Sequence, residues 1–275
     1  MSIDQATARL RTVRQTHGGE RGLRFRHVER VTLGGLPIAV LDRAETAKLL
    51  VESAMARLRG GRPLIFTSAN GEVVSRLAAD RCLADLFAQA DLISADGQPL
   101  VIVSRWLCSK ALPERVATTD LFHDAARYAV RRGASFYLLG ASEEENRRAF
   151  ERVLELYPGL HIVGRSHGYL QGNELLRVIA EIDAQAPDVL WVGLGVPREQ
   201  VFYSSFASAL PNVGAIKTSG GLFNFLSQTR QRAPAWMQTA GMEWMFRILQ
   251  EPRRLLWRYA STNPHALYLL LTRSG

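Results

Sequence analysis

The sequence contains little cysteine. Two cysteines occur in 275 residues, Cys82 and Cys108, each within an apolar segment that has a helical pattern. Two separated thiols without a CxxC pair form neither a disulfide framework nor a cysteine metal site. The composition therefore predicts two buried free thiols in a protein of a reducing compartment.

Long apolar runs are absent as well. The longest run near the C-terminus, Ala266 to Leu271, is far shorter than the roughly 20 residues of a helix that spans a bilayer. Residues 1–30 contain dispersed Arg and no apolar segment of the kind found in signal peptides. We therefore expect a cytoplasmic protein that associates peripherally with the inner face of the cell membrane.

The common motifs for binding metals and phosphate chains are also missing. The chain has no DxD acidic pair, which would hold a divalent cation against a nucleotide diphosphate, and no GxxxxGK[ST] loop. Its six His show no spacing typical of metal ligands. Metal-dependent phosphate chemistry has no support in the sequence, so we expect neither a metal nor a cofactor.

Arginine is in excess at both ends of the chain. The formal charge is +8, and residues 1–30 contain seven Arg against three acidic residues. Residues 228–275 contain seven Arg, two acidic residues and no Lys, together with three of the five Trp. Basic ends on a nearly neutral body predict an extended anionic partner, either nucleic acid or a membrane surface.

Within the C-terminal segment, spaced Arg residues alternate with Trp. Arg makes bidentate contacts with phosphate, and Arg with Trp on a helix suits an anionic lipid surface. The alternative is a solvated basic face whose Trp side chains pack onto the rest of the chain. The candidates for contact with a diphosphate or a membrane are Arg247, Arg253, Arg254 and Arg258.

Short apolar runs alternate with longer amphipathic ones from about Leu36 onward, which is typical of strands separated by helices. Because several of the runs are apolar throughout, we expect helices on both faces of a mainly parallel sheet. We predict an α/β fold in which a basic N-terminal arm (1–30) precedes a Rossmann-like three-layer domain (31–228) and a C-terminal helical appendage (229–275). The predicted strands are 37–41, 63–67, 92–95, 135–140, 161–164, 189–193 and 213–218. The predicted helices are 45–59, 71–88, 99–106, 121–132, 143–156, 174–185, 198–209, 234–250, 252–259 and 264–271.

Four polar or glycine-rich turns follow predicted strands. In parallel sheets, ligands bind beyond the carboxyl ends of the strands, so these turns should converge on one edge. The candidates for substrate contact in them are Thr67, Ser68, Asn70, Gly97, Gln98, Gly193, Gly195, Pro197, Gln200, Gly220 and Gly221.

Asp96 is the sharpest candidate because it is a carboxylate between an apolar strand and a glycine. One interpretation is an N-cap for the helix that begins near Pro99, since Asp accepts backbone N–H bonds well there. The other interpretation is a general base, a role that accelerates reactions by about 10²- to 10⁴-fold. The neighbouring polar turns favour the general base.

Several other candidates have structural alternatives of similar weight. Asn70 is explained nearly as well by capping of the helix at Gly71. Gly193 and Gly195 would let backbone N–H groups approach a phosphate, but they also fit a tight turn between a strand and a helix.

The segment that enters the helix near Leu121 contributes two further candidates. Arg115 is either an anion-binding or a structural residue, and Asp120 is either a substrate contact or, like Thr119, the N-cap of the helix.

Together these segments resemble the bacterial WecG/TagA/CpsF glycosyltransferase family, from about Ile65 to Leu271. The stretches that carry the resemblance are TSANGEVV at 67–74, ADLISADGQPLV at 90–101, PERVATTDLF at 113–122, FYLLGAS at 136–142, PDVLWVGLGVPREQ at 187–200, SGGLFNFLSQTRQRAPAWMQTAGMEWMFRILQEPRR at 219–254 and NP at 263–264.

The resemblance implies an inverting, metal-independent transfer of a sugar from a UDP-sugar to a polyprenyl-diphosphate-linked sugar, in the synthesis of surface polysaccharide or exopolysaccharide. It implies a β-linkage and a donor such as UDP-glucose or UDP-N-acetylmannosamine. The family's catalytic Asp falls on Asp96, and its hydroxyl-x-Asn turn falls on Ser68 and Asn70, with Thr67 as the alternative hydroxyl. The Arg-rich tail would be a membrane-docking appendage that helps complete the active site.

The chain departs from the family's pattern at three places. Thr118 stands where a Gly is usual, Glu199-Gln200 resembles an inverted Gln-Glu pair, and Asn224 replaces a common Asp. These positions bear on the identity of the donor and leave the reaction class unchanged.

Two functions of another class remain as alternatives. The charge also fits a basic nucleic-acid-binding module, although the chain has no recognised RNA or DNA motif. A nucleotide sensor without catalysis would share the same turns. The resemblance favours the enzyme and no nucleic-acid partner. The oligomeric state is left open, a homo-oligomer included.

Overall fold

The computed structural model describes residues 25, 27–230, 233–234, 236–237, 243–250 and 252–275. Its strands are β1 (Arg30–Leu33), β2 (Leu36–Ala39), β3 (Leu64–Ala69), β4 (Leu92–Ala95), β5 (Ser135–Gly140), β6 (His161–Ser166), β7 (Val189–Gly193) and β8 (Ala215–Thr218). The last six strands form one sheet in the order β4-β3-β8-β7-β5-β6, and all neighbours are parallel. Their carboxyl ends therefore share one edge.

Helices follow the strands in alternation. In the described part of the chain they are α1 (Arg43–Ala56), α2 (Gly71–Ala79), α3 (Arg81–Phe87), α4 (Gln98–Leu107), α5 (Thr118–Arg132), α6 (Glu143–Leu156), α7 (Gly172–Gln185), α8 (Arg198–Phe206), α9 (Leu222–Leu226), α10 (Glu243–Gln250) and α11 (Pro252–Thr272).

The sheet is covered on both faces because side chains of neighbouring strand residues point to opposite sides. On one face, Phe66, Leu138 and Trp191 pack against α1, α5 and α6. On the other face, Ile65 and Leu190 lie in a cluster with α7 and α8, and a neighbouring cluster at the β3–β4 end of the sheet includes α2, α4 and α11. The prediction of a Rossmann-like three-layer α/β fold with a C-terminal helical appendage is confirmed.

The first predicted strand does not join the parallel sheet. It forms β2, which pairs antiparallel with the unpredicted β1 in a separate two-stranded sheet. The two residues between them, Gly34 and Gly35, have φ values of +58° and +84°. Paired positive φ values suit a two-residue hairpin turn, which brings the two strands together locally.

The predicted break at Pro264 is wrong, because α11 continues through it. A proline within a helix costs roughly 3 kcal/mol, so the packing of the residues that follow Pro264 must help to outweigh this cost. Ala266, Leu269 and Leu270 are buried, and the last two belong to the cluster that contains α2. Beyond the helix, Gly275 exchanges backbone hydrogen bonds with Thr32 of β1.

The predicted burial of the two thiols is wrong. Cys82 is exposed and Cys108 is partly exposed. Cys82 lies in the first turn of α3, where Leu83, Leu86 and Phe87 form the buried face instead. The apolar neighbours of Cys82 therefore indicated a core helix correctly but not which face carries the thiol.

Asn146 joins three elements beside the carboxyl edge. Its fully buried amide nitrogen donates to the carbonyl oxygens of Leu138 at 3.3 Å, Gly140 at 2.9 Å and Ser166 at 3.0 Å. Since buried carbonyls need partners, this side chain ties the start of α6 to the ends of β5 and β6.

We expect Asn146→Ala to lower the free energy of unfolding by about 1–3 kcal/mol, because it leaves buried carbonyl groups without their donor. Urea unfolding followed by circular dichroism measures this loss. Glu155→Ala, on the exposed side of the same helix, is the control and should change stability by less than about 0.5 kcal/mol. Equal losses in the two variants would contradict the role given to Asn146.

Candidate active site

Polar residues from four segments meet at the carboxyl edge of β3, β4 and β8. Thr118, at the start of α5, donates to Asp96 Oδ2 from its hydroxyl at 2.8 Å and from its backbone N–H at 3.2 Å. The Oγ atoms of Thr118 and Ser68 lie 3.4 Å apart, and Lys217 Nζ donates to Ser68 Oγ at 2.9 Å. The two predicted catalytic residues therefore lie in one hydrogen-bonded cluster.

Asp96 is held at both its backbone and its side chain. Its N–H donates to the Ala69 carbonyl at 2.8 Å. The helix that follows it, α4, has Gly97 at its N-cap position and no side-chain cap. The carboxylate instead receives the first N–H of α5, so Asp96 caps a helix other than the one that its sequence position indicated.

The surroundings of Asp96 have opposing effects on the pKa of its carboxyl group. Burial raises the pKa of the carboxyl group above its ordinary value, while the charge of Arg115, the hydrogen bonds from Thr118 and the charge of Lys217 act to lower it. A carboxylate with a raised pKa is a stronger base than one in water, provided that its neighbours keep it ionised at neutral pH.

The geometry separates the two candidate hydroxyls of β3. Ser68 faces Lys217 and Thr118, whereas Thr67 is buried and lies 2.9 Å from the Thr218 hydroxyl. Successive strand side chains point to opposite faces of the sheet, so Thr67 is directed away from Asp96. Of the two hydroxyls, the geometry favours Ser68 for the site.

Asn70 caps α2, since its side chain accepts the Val73 N–H at 3.0 Å. This is the structural alternative, and it places the side chain beside Gly97. A Cβ atom at residue 97 would lie 3.3 Å from the Cα and Cβ atoms of Asn70. Gln98 follows as the first residue of α4 and is partly buried.

The glycines of the other turns serve different purposes. A Cβ at Gly193 would lie 2.6 Å from the Phe223 ring, so this glycine allows α9 to pack closely against the end of β7. Gly195 and Gly220 have φ values of +76° and +55° and open space where a Cβ would stand. Gly221 is the N-cap residue of α9, and Pro197 follows a cis peptide bond before α8.

Glu199 joins the turn after β7 to the turn after β8. Its Oε1 accepts backbone N–H groups from Leu194 at 3.3 Å, Ser219 at 3.1 Å and Gly220 at 2.5 Å. Burial raises the pKa of this carboxyl group, and the N–H donors and the charge of Lys217 oppose that rise. Glu199 therefore fixes the relative positions of two turns that the sequence assigned to substrate contact.

Gln200, the next residue after Glu199, is fully buried. In the part of the chain that the structure describes, neither its amide nitrogen nor its amide oxygen has a hydrogen-bond partner, and the same holds for the hydroxyls of Ser94 and Ser219. Buried polar groups without partners are costly and usually mark a position for a ligand or water. Gln200 thus supplies an unsatisfied amide next to the turns.

Asp120 and Arg115, near the start of α5, have different roles. Asp120 lies 3.9 Å from Arg43 of α1 and so contributes to contact between two helices. Arg115 is close enough to Asp96 for its charge to lower the pKa of that carboxyl group. The predicted N-cap, Thr119 or Asp120, is wrong, since Ala117 occupies that position and carries no side-chain cap.

The predicted diphosphate or membrane residues fall on α10 and α11. The structure describes the backbone of these helices, while the side chains of Arg247, Arg253, Arg254 and Arg258 lie outside the described residues. Their role remains a prediction.

Comparison with known proteins supports the family resemblance. The sequence profile of the glycosyl transferase WecG/TagA/CpsF family matches residues 31–274, which extends the resemblance to the hairpin before Ile65. The chain belongs to this family. The protein is therefore a glycosyltransferase, and the two non-catalytic alternatives are set aside.

Two relatives of this glycosyltransferase carry the same name, N-acetylglucosaminyldiphosphoundecaprenol N-acetyl-beta-D-mannosaminyltransferase. The protein from Bacillus subtilis is 30% identical over 207 residues, which cover 75% of this chain and 78% of the relative. The protein from Bacillus spizizenii is 31% identical over 197 residues, which cover 72% of this chain and 74% of the relative.

The main residue of the glycosyltransferase site that the sequence analysis missed is Lys217. It lies on β8 with none of its surface exposed, and its ammonium donates to Ser68 Oγ and to the Thr218 carbonyl at 2.8 Å. Burial lowers the pKa of Lys217 to about 8, although the charges of Asp96 and Glu199 act to raise it. One signal was present: Lys217 is one of three Lys in the chain and the only charged residue in the predicted strand 213–218.

We expect Glu199→Ala to lower the free energy of unfolding by at least about 3 kcal/mol, because three buried N–H groups lose their acceptor. Glu199→Gln should cost clearly less, since its amide oxygen can accept the same bonds. Urea unfolding of both variants measures the difference. Equal losses would show that the charge of Glu199, rather than its hydrogen bonding, holds the two turns.

Proposed function

We propose that this glycosyltransferase transfers a sugar, with inversion and without a metal, from a UDP-sugar to a polyprenyl-diphosphate-linked sugar, and that Asp96 is the general base. The observation that carries the proposal is the position of Asp96, which is bonded on Oδ2 by Thr118 at the carboxyl edge of the sheet. Among the described residues, no group of three His, Cys, Asp or Glu is placed to hold a metal ion. Metal independence itself rests on the family resemblance.

The relatives support the class of acceptor. Their shared name describes transfer of N-acetylmannosamine to N-acetylglucosamine linked by a diphosphate to undecaprenol. At about 30% identity we carry over a lipid-diphosphate-linked sugar as the acceptor class. For the donor we retain UDP-glucose and UDP-N-acetylmannosamine, with a β-linkage as the product of inversion.

One departure from the family pattern has a local explanation. The Asn224 amide donates to the carboxylate of Glu145, which links α9 to the start of α6. An Asp at this position would place two carboxylates in contact, which is unfavourable unless one is protonated. Asn224 therefore fits Glu145, and this substitution carries no information about the donor.

The proposed reaction is a direct displacement. Asp96 removes the proton from the acceptor hydroxyl, the hydroxyl oxygen forms a bond to the anomeric carbon, and the bond from that carbon to the UDP oxygen breaks with its electron pair on the diphosphate. The developing charge needs preorganised donors. Candidates are backbone N–H groups of the turn at 193–200 and, from the tail, Arg247 and Arg254.

We expect Asp96→Asn to reduce transfer at least about 100-fold, since general-base catalysis contributes about 10² to 10⁴. The Asn oxygen still accepts both bonds from Thr118, so stability and UDP binding should persist. The measurement is transfer to a short-chain lipid-diphosphate-linked N-acetylglucosamine from a panel of UDP-sugars, which also identifies the donor. Asp85→Asn on an exposed face of α3 is the control. Near-normal transfer by Asp96→Asn would disprove the assignment.

We also propose peripheral association with an anionic membrane. None of the helices in the described part of the chain has both the length and the hydropathy that crossing a bilayer requires. Two helices that contact one another nevertheless expose large apolar side chains. On α4, Trp106 is 82% exposed, and on α11, Trp257 is 80% exposed. The other exposed apolar residues of this surface are Ile102, Leu267, Tyr268 and Leu271.

Deletion of the tail would be an ambiguous test of this surface, because Leu269 and Leu270 belong to the core. We therefore test the triple variant Trp257→Ser, Leu267→Ser, Leu271→Ser, which should keep its fold. It should bind phosphatidylglycerol-containing vesicles at least about tenfold more weakly, because transfer of each apolar side chain from water into the membrane is favourable. Vesicle sedimentation measures the loss.

The matched control for vesicle binding replaces three exposed Leu on the opposite side of the sheet, Leu58, Leu154 and Leu156, by Ser. It should sediment with vesicles like the parent protein. If both triple variants bind as the parent does, the proposed docking surface is wrong.

A further inference from the structure

Lys217 is a fully buried ammonium group on a central strand. It shares its face of the sheet with Phe66 and Trp191, the residues that pair with it on the neighbouring strands β3 and β7. Removing a charge from water costs several kcal/mol unless partners offset the loss. A methionine would fill the same space without this cost, so the charge itself calls for an explanation.

The hydrogen bonds around Lys217 have a direction. An ammonium group only donates, so Lys217 donates to Ser68 Oγ at 2.9 Å. An ionised carboxylate only accepts, so the single hydroxyl proton of Thr118 points to Asp96 Oδ2 at 2.8 Å. The longer contact of the same Thr118 hydroxyl, at 3.4 Å, is to Ser68 Oγ, which therefore accepts from both Lys217 and Thr118. Hydrogen bonds thus connect Lys217 to Asp96 through Ser68 and Thr118.

This hydrogen-bonded network ends on one oxygen of the carboxylate. In the described part of the protein, both hydrogen bonds to the Asp96 side chain fall on Oδ2. A carboxylate fixed through one oxygen presents the other, Oδ1, to a substrate. Through the two hydroxyls, the buried charge of Lys217 on β8 helps to fix the orientation of the Asp96 carboxylate after β4.

Two further charged groups surround this network, Arg115 before α5 and Glu199 of α8. Arg115, before α5, and Lys217 face Asp96. Asp96 and Glu199 of α8 face Lys217 from either side. Opposite charges stabilise one another strongly in a site of low polarity, so Lys217 favours the ionised form of Asp96.

We infer that Lys217 is a positioning residue, which acts through the hydroxyls of Ser68 and Thr118 to keep Asp96 ionised and to direct Oδ1 toward the acceptor hydroxyl. This inference rests on the proposed function of Asp96. It also gives a role to Thr118, which stands where the family pattern has a Gly. The series of contacts from Lys217 through the Ser68 and Thr118 hydroxyls to Asp96, the hydroxyl relay, is therefore a feature of this protein rather than of the family pattern.

The test is the pH dependence of kcat/KM for sugar transfer. Asp96 acts as a base only when ionised, so transfer is lost as the pH falls through its pKa. Removing the Lys217 charge raises that pKa, and the loss then begins at a higher pH. We expect Lys217→Met to move the acid limb of the profile, where transfer falls with decreasing pH, to higher pH, because an opposite charge nearby lowers a carboxyl pKa.

The hydroxyl relay is tested in the same profile. Thr118→Val removes the hydroxyl but keeps the shape of the side chain, and it should move the acid limb in the same direction. Thr118→Ser keeps the hydroxyl and should restore the limb of the parent enzyme. Because Lys217 and Thr118 act in one chain, the shift of the double variant should be smaller than the sum of the single shifts.

An unmoved acid limb in Lys217→Met, or additive shifts in the double variant, would overturn the inference. A loss of unfolding free energy with an unmoved limb would show a purely structural lysine. If Lys217→Met does not fold, Ser68→Ala paired with Thr118→Val provides a second cycle with the buried charge retained. Asp96→Asn separates the two proposals. If this variant retains transfer, the proposed function fails. If it abolishes transfer and the acid limb of Lys217→Met is nevertheless unmoved, only the role of Lys217 fails.

Discussion

The structure depends on one buried cation, Lys217, that interacts with the charges of a buried carboxylate, Glu199, and a partly buried one, Asp96. Lys217 lies on a central strand, Asp96 follows one edge strand of the sheet, and Glu199 begins the helix after β7. Each of these charges would be costly alone in the interior. Together they offset one another, so the turns that carry them are held in one arrangement. Among the described residues, the buried Gln200 amide and the buried Ser219 hydroxyl, both close to this edge, have no hydrogen-bond partner.

Parallel strand geometry explains why these groups meet. The strands β4, β3, β8 and β7 are neighbours in the sheet, although β3 and β4 are far from β7 and β8 in sequence. Each strand ends at the same edge, and each following turn adds a donor or acceptor. Structural roles do not exclude function: Asn70 caps α2 beside Gly97, the residue after Asp96, and Gly193 allows Phe223 to pack against the end of β7.

The parts of the structure that sequence reasoning could predict are those with a local cause. Apolar runs bounded by turns marked the six parallel strands, and a carboxylate between such a run and a glycine marked Asp96. Lys217 was missed because an apolar strand pattern says nothing about what a buried side chain contacts 149 residues away. Pro264 misled the prediction for a related reason, since the helix survives through tertiary packing. The exposed Cys82 shows that a helical pattern predicts an element more reliably than it predicts a face.

The appendage and the site share a helix. Gly71, the first residue of α2, faces Ala266 of α11, and one turn later the Ser75 hydroxyl lies 2.9 Å from His265 Nδ1. The same helix is capped by Asn70, two residues after Ser68. The helix that exposes Trp257 and Leu271, α11, is therefore packed against α2, and α2 begins three residues after Ser68 of the hydroxyl relay. Because close-packed interiors have low compressibility and transmit strain, α2 is the element that physically connects the exposed face of α11 to the Ser68 turn.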